Sequence, residues 1–233
     1  MTKRQHSLLK PIEDVFTFWD VLTPDERNFL KNTYSVQHYN KNEVIQVEGD
    51  TPTHLMVLAS GKVKVYKSGF GNHPQIVRML KPGENFGYRA IIANEPNSTT
   101  VTAFEASTVY MISGENFLSI LRHNNAFCYR FLEELSFDLA ESDARTVNLT
   151  QKHIRGRLAE SLLFLKENYG VEEDGATISI YLSREDLANL SNMTTSNAIR
   201  TLASFVNDEM IAMDGRKLKI IDEERLRKTS KLG

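Results

Sequence analysis

The chain has 233 residues, 41% hydrophobic and 25% charged, with a net charge of −2. That length accommodates two domains, and the composition is that of a globular protein, which excludes disorder over the whole chain. Apolar runs such as Met56–Ala59 and Leu162–Leu165 are only a few residues long. They fall short of the roughly 18–20 residues that cross a bilayer, and the near-neutral charge favours no class of partner.

In chain order, residues 1–11 carry Lys3 and Arg4 but no apolar stretch, which argues against a secretory signal and for a cytoplasmic protein. Two short helices are expected, Ile12–Trp19 and Pro24–Asn32. The second has Thr23 as its cap, Pro24 at its first position, and Asp25 and Glu26 in its first turn. Residues 36–112 are rich in Val, Ile, Thr and Tyr and are punctuated by glycine. They predict strands at Val44–Val47, Leu55–Ala59, Lys62–Tyr66, Gln75–Met79, Thr100–Ala103 and Thr108–Ile112. Turn signals separate them, at Glu48-Gly49-Asp50, Ser60-Gly61, Ser68–Asn72 and Lys81–Glu84. Such spacing suggests an antiparallel sandwich or roll.

From Gly114 the period becomes helical. A short helix, Glu115–His123, precedes a long one from Asn125 to about Leu149 with neither Gly nor Pro inside. Cys128, Leu132, Leu135, Leu139 and Ser142 follow a 4-3-4-3 spacing and form one narrow apolar seam. Phe127, Phe131 and Phe137 lie partly off it. One side of the helix can then cover the roll while the seam meets a second subunit; the other reading is an ordinary amphipathic helix packed within one chain. A lone cysteine, Cys128, excludes a disulfide framework, a cysteine-rich zinc site and a cysteine-ligated iron–sulfur cluster. A third helix, His153–Asn168, stops at Tyr169-Gly170, followed by an acidic loop over 171–176 and an alternating strand, Thr177–Leu182.

The stretch from Leu182 to Asp222 carries the chemistry. Ser183 and Asp186 form a capping box for a helix of about two turns with Leu187, Ala188 and Leu190 inward. Ser191-Asn192-Met193 is a tight connection, and Thr194 caps a helix over Thr195–Asn207. That helix turns Ala198, Leu202, Phe205 and Val206 inward and shows Thr195, Ser196, Asn197, Ile199 and Arg200 outward. The spacing is that of a helix-turn-helix. Small hydrogen-bonding groups followed one turn later by arginine can reach base edges, with Arg200 able to bond guanine through two donors. Asp214-Gly215 between two short β-prone runs signals a hairpin whose Arg216, Lys217 and Lys219 can meet phosphate. Residues 150–233 hold 13 basic and 13 acidic residues, so charge alone does not mark this half as a nucleic-acid binder. The acidic residues cluster at Glu172–Asp174 and Asp222–Glu224, away from the helix and hairpin.

A roll, a long helix and a winged helix-turn-helix, in that order, resemble a Crp/Fnr-family transcription regulator. The resemblance covers about residues 12–222. It is carried by Glu48-Gly49-Asp50, Ser60-Gly61-Lys62-Val63, Pro82–Gly87, Thr99–Ala103, Gly156–Ala159 and Leu182–Ile221. It implies an α+β fold: an antiparallel β-roll (jelly-roll) sensor domain with a long dimerisation helix over 1–149, then a winged helix-turn-helix DNA-binding domain over 150–233. It further implies a homodimer on a near-palindromic double-stranded operator, RNA polymerase as a partner, and no enzymatic activity. Thr195, Ser196 and Arg200 would read bases, and Arg184, Asn197 and Arg216 would hold phosphates.

The departures from the family pattern are informative. Cyclic-nucleotide-binding members place a Glu after the Phe-Gly and an Arg before the small-residue run. Here those positions are Tyr88 and Asn97. Asn cannot replace a bidentate arginine–phosphate contact, so cyclic AMP is not expected as the effector. Arg89 is adjacent, though strand alternation would aim it away. The resemblance places an effector near Phe86, Gly87, Tyr88 and Arg89, opposite Asn97, Ser98 and Thr99, with Ser142 and Asp143 of the long helix. The base-reading Glu of well-known members is Ser196 here. His6, His38, His54, His73, His123 and His153 are scattered, so no metal or resident cofactor is expected. Two other readings stand beside this one: a regulator with a purely structural roll, and a sensor module that never meets DNA.

Overall fold

The structure is a computed structural model describing residues 10–69 and 73–232. His6 and the Phe70-Gly71-Asn72 part of the expected turn lie outside the described residues. The chain forms two compact units. One comprises residues up to Ser68 with Val77–Phe137, the other Gly69–Ile76 with residues from Asp138 onward.

The first unit is built on two four-stranded sheets with strand orders β1-β8-β3-β6 and β2-β7-β4-β5. The strands are β1 (Ser35–Tyr39), β2 (Val44–Gln46), β3 (His54–Ser60), β4 (Val63–Lys67), β5 (Gln75–Leu80), β6 (Asn85–Phe86), β7 (Thr100–Ala103) and β8 (Ser107–Ser113). Pairings of β8 with β1 and β3, and of β7 with β2 and β4, are antiparallel. Strand β3 reads as an unbroken apolar run because both of its faces are covered. Met56 and Leu58 enter the roll interior with Val63, Val65, Leu80, Phe86, Val101 and Val109. Leu55, Val57 and Ala59 point the other way, into a second core.

That second core is aromatic and belongs to the helices. Phe16, Phe18, Tyr88, Phe117, Phe127 and Phe131 are all buried in it. Phe127 and Phe131 come from α4 (Asn125–Gln151) and Phe117 from α3 (Gly114–His123). Phe18 sits 5.4 Å from Phe127 and 5.2 Å from Phe131, centroid to centroid. The expected first helix is instead two single 3₁₀ turns, Ile12–Asp14 and Trp19–Val21. Burial of Ile12, Val15, Phe16 and Phe18 together follows this core rather than one helical stripe. Helix α1 (Pro24–Thr33) starts at Thr23 with a full capping box to Glu26. Strands β1 and β6 and helix α2 (Tyr88–Ala93) were not expected. Helix α2 is a single short element bounded by left-handed residues at Gly87 and Asn94.

The second unit holds the last half of α4, then α5 (Ile154–Tyr169), α6 (Arg184–Leu190), α7 (Thr195–Asn207), the hairpin β9 (Ile211–Asp214) and β10 (Lys217–Ile220), and α8 (Glu223–Leu232). Helix α8 escaped the sequence reading. It rests on α5 through the fully buried Leu226 and the pairs Lys166–Glu223 and Arg227–Glu167. The strand expected over Thr177–Leu182 is reduced to isolated bridges, Val171↔Ile178 and Thr177↔Lys219. Ile178, Ile180 and Leu182 are buried as the alternation required, but β10 offers this segment only short pairing. Within α7, Thr201 takes the inward place expected for Val206, which is 40% exposed.

The acidic loop is internally engaged. Asp174 accepts hydrogen bonds from the amides of Ala176 and Thr177 and from the Thr177 hydroxyl, with Lys219 at 3.4 Å. These bonds, the Thr177 amide first, hold its carboxyl well below the usual carboxylate range. A depressed folded-state value contributes stability that is present above the ordinary value near 3.8 and lost as pH falls through the folded one. Asp174→Asn should therefore lower the denaturation midpoint at pH 7. That deficit should shrink as pH is lowered from 4 toward 2, in urea titrations of the two proteins side by side.

Candidate nucleic-acid interface and roll cavity

The turn between α6 and α7 is set by backbone geometry. Asn192 has φ +50°, a left-handed conformation that Asn tolerates better than most residues. Ser191 is fully buried and its hydroxyl donates to or accepts from Ser161 at 2.8 Å. Ser183 caps α6 by accepting from the Asp186 amide at 3.0 Å, and its hydroxyl donates to the Asp186 carboxylate at 2.7 Å. Thr194 caps α7 by accepting from the Asn197 amide at 3.3 Å.

Behind the turn, Arg157 gathers carbonyls from two elements. Its guanidinium donates to Ser191 O at 2.9 Å, Asn192 O at 2.9 Å and Lys152 O at 3.0 Å. It thus joins the segment that follows α4 to the turn that aims α7. Desolvation pulls its pKa down. Arg155 performs a parallel task on α7 itself. It pairs with Asp208 at 2.8 Å, donates to Ser204 and stacks 4.9 Å from the Phe205 ring.

The outer face of α7 presents Thr195, Ser196, Ile199 and Arg200 to solvent, with Asn197 half-buried. Arg200 Nη2 donates to Asn197 Oδ1 at 2.5 Å, so Asn197 orients the arginine. Arg184 at the start of α6 donates to Gly215 O in the hairpin turn at 3.0 Å. That bond brings Arg184 beside Arg216, which is exposed at the tip. Lys217 lies 5.8 Å over the Tyr181 ring. Lys219, the third basic residue of the hairpin, pairs with Asp174 at 3.4 Å.

In the first unit, Phe86, Gly87, Tyr88, Arg89, Asn97, Ser98 and Thr99 line one cavity of about 60 Å³, together with Gln46, Arg78 and apolar neighbours. Arg89 reaches it because α2 replaces the strand alternation expected there. Gly87 has φ +83°, and a Cβ would stand 2.7 Å from both His54 O and Met56 Cε, so only glycine fits. Tyr88 is buried, its hydroxyl accepting from Arg78 at 3.2 Å and its ring edge-on to Phe131 at 5.1 Å and 89°. Asn97 Oδ1 is buried without a hydrogen-bond partner. Ser142 and Asp143 are exposed on α4 in the second unit. Of the seam, Cys128 and Leu135 are half-buried, while Leu132 is 54% and Leu139 63% exposed, alongside Tyr129 at 66%.

Residues 36–124 match the model of the cyclic nucleotide-binding domain, and residues 156–229 that of the Crp-like helix-turn-helix domain. The chain belongs to the Crp/Fnr family of transcription regulators. It is 23% identical over 189 residues to the CRP-like cAMP-activated global transcriptional regulator of Mycobacterium tuberculosis, covering 81% of this chain and 84% of that one. Its fold is similar to that of a Crp/Fnr-family transcriptional regulator from Eubacterium rectale (TM-score 0.79, 17% identity, 94% of this chain and 100% of that one). It is also similar to FixK2 from Bradyrhizobium japonicum (TM-score 0.76, 18% identity, 84% and 97%). The helix-turn-helix match and the Mycobacterium tuberculosis relative are those of a regulator, and this Crp/Fnr protein is a DNA-binding regulator rather than an enzyme. No helix is long and apolar enough to cross a membrane among the described residues.

In the sequence, Arg157 stands out only as part of the Gly156–Ala159 run. Arg157→Ala should lower stability by about 2 kcal/mol, because several partly buried carbonyls lose a charged donor. Arg157→Lys should recover only part of that, since one ammonium cannot span the same fork. Thermal unfolding of the three proteins measures both effects.

Proposed function

We propose that this Crp/Fnr regulator binds a near-palindromic operator as a homodimer formed through α4, acts with RNA polymerase, and responds to a small effector other than cyclic AMP. The observation that carries this reading is the outer face of α7. Three base-capable side chains, Thr195, Ser196 and Arg200, stand exposed together on α7, and Arg184 is tied to the hairpin turn that carries Arg216. In a dimer of this kind the two reading helices enter successive major grooves about 34 Å apart. Tyr129, Leu132 and Leu139 leave a row of apolar surface outward on α4, the row a second copy would cover.

The cavity supports an effector unlike a cyclic nucleotide. Tyr88 and Asn97 occupy the positions of the family's ribose and phosphate anchors. A compact polar molecule offering a donor to Asn97 Oδ1 suits the lining. Ser142 and Asp143 are the α4 positions at which the effector signal would be read. One observation favours a second reading, in which the roll has no effector. The Tyr88 side chain is itself buried between Arg78 and Phe131, a contact that holds α4 without any ligand.

Selection of bound duplexes from a random pool tests the reading, and a symmetric enriched site is expected. Arg200→Ala should then cost about 1–3 kcal/mol at one base position, and Arg216→Ala should weaken all sequences alike and lower the salt slope by about one. Enrichment of nothing above background would refute operator recognition. Undiminished binding after ligand stripping would select the second reading.

A further inference from the structure

Helix α7 leaves Ile199 49% exposed, one turn after Thr195 and immediately before Arg200. A lone exposed aliphatic side chain is ordinary on a protein surface. Ile199 differs in its company. Its neighbours on this face are the groups able to meet base edges, and it lies in the N-terminal half of the helix, the end that enters the groove. Val206 is exposed as well, but it lies two turns further along. Ile199 offers no hydrogen bond. Set against guanine, adenine or cytosine edges it would strip water from polar atoms and give nothing back. The major-groove edge carries one apolar group, the 5-methyl of thymine.

We propose that Ile199 specifies thymine, by packing on its 5-methyl group beside the base pair read by Arg200. The hydrogen bond from Arg200 to Asn197 fixes the arginine relative to the backbone on either side of Ile199, so the polar and the apolar contact share one register. The proposal rests on α7 being the recognition helix and adds to it which base the apolar side chain selects.

The test uses the full-length protein and an operator taken from the random pool. Each thymine of a half-site is replaced in turn by deoxyuridine, which removes the methyl and nothing else. Affinities are measured at one salt concentration for wild type and Ile199→Ala. At one thymine per half-site, uridine should weaken wild-type binding about three- to fivefold, the size expected for one buried methyl. Ile199→Ala should bind the thymine operator more weakly by a similar factor and be indifferent to uridine at that position. Wild type indifferent to uridine at every position, or Ile199→Ala retaining the full preference, overturns the proposal while leaving α7 as the recognition helix. A pool that yields no enriched site overturns both. Because Ile199 is exposed and Ala favours helix, unchanged thermal unfolding of the variant is expected and separates lost contact from lost fold.

Discussion

The rest of this structure depends on the burial of Phe127 and Phe131 against the aromatic core of the first unit. Both rings are buried with Phe16, Phe18 and Phe117. Rings in edge-on and tilted contact add to the area they bury and also fix orientation. That choice settles the rotation of α4 about its own axis. With Phe127 and Phe131 inward, Tyr129, Leu132 and Leu139 must face outward. Apolar surface left on a second side of a helix is available to a further partner, and the dimer proposal builds on it.

Tyr88 links this packing to the cavity. Its ring touches Phe131 and its hydroxyl accepts from Arg78, so a cavity residue and α4 share one contact. Any effector can shift the protein only by its difference in affinity between two states, and Tyr88 is the side chain through which such a difference would reach α4. At the other end of the chain, Arg157 holds the segment after α4 to the helix-turn-helix turn, and Arg155 holds α7 to α5.

Much of this was legible in the sequence, for identifiable reasons. The cap residues Thr23, Ser183 and Thr194 marked helix starts because their side chains satisfy specific orphan amides. The bounds of α7 and β7 were recovered as they stand. Asp214-Gly215 marked the hairpin because Gly215 must take φ +58°. Local signals of this kind carry no information about long-range pairing. The 3₁₀ turns near Ile12 and Trp19 answer to a core assembled from distant aromatics. Thr177–Leu182 alternates like a strand but lacks a long partner. Helix α8 has few apolar residues, and its docking depends on ion pairs with α5. On α7, the outward placement of Arg200 follows from its helical spacing. The pairing of Asn197 with Arg200, and of Lys219 with Asp174, depends on side-chain placement that local spacing does not encode.

Pairing of two chains through the outward face of α4 is the central claim. Sedimentation equilibrium of the purified protein at micromolar concentration tests it most directly, with Leu132→Asp and Leu139→Asp run in parallel. The account predicts twice the chain mass for wild type and a shift to single-chain mass in both variants. A wild-type protein that sediments as one chain across that range, or variants that remain as large as wild type, would contradict it.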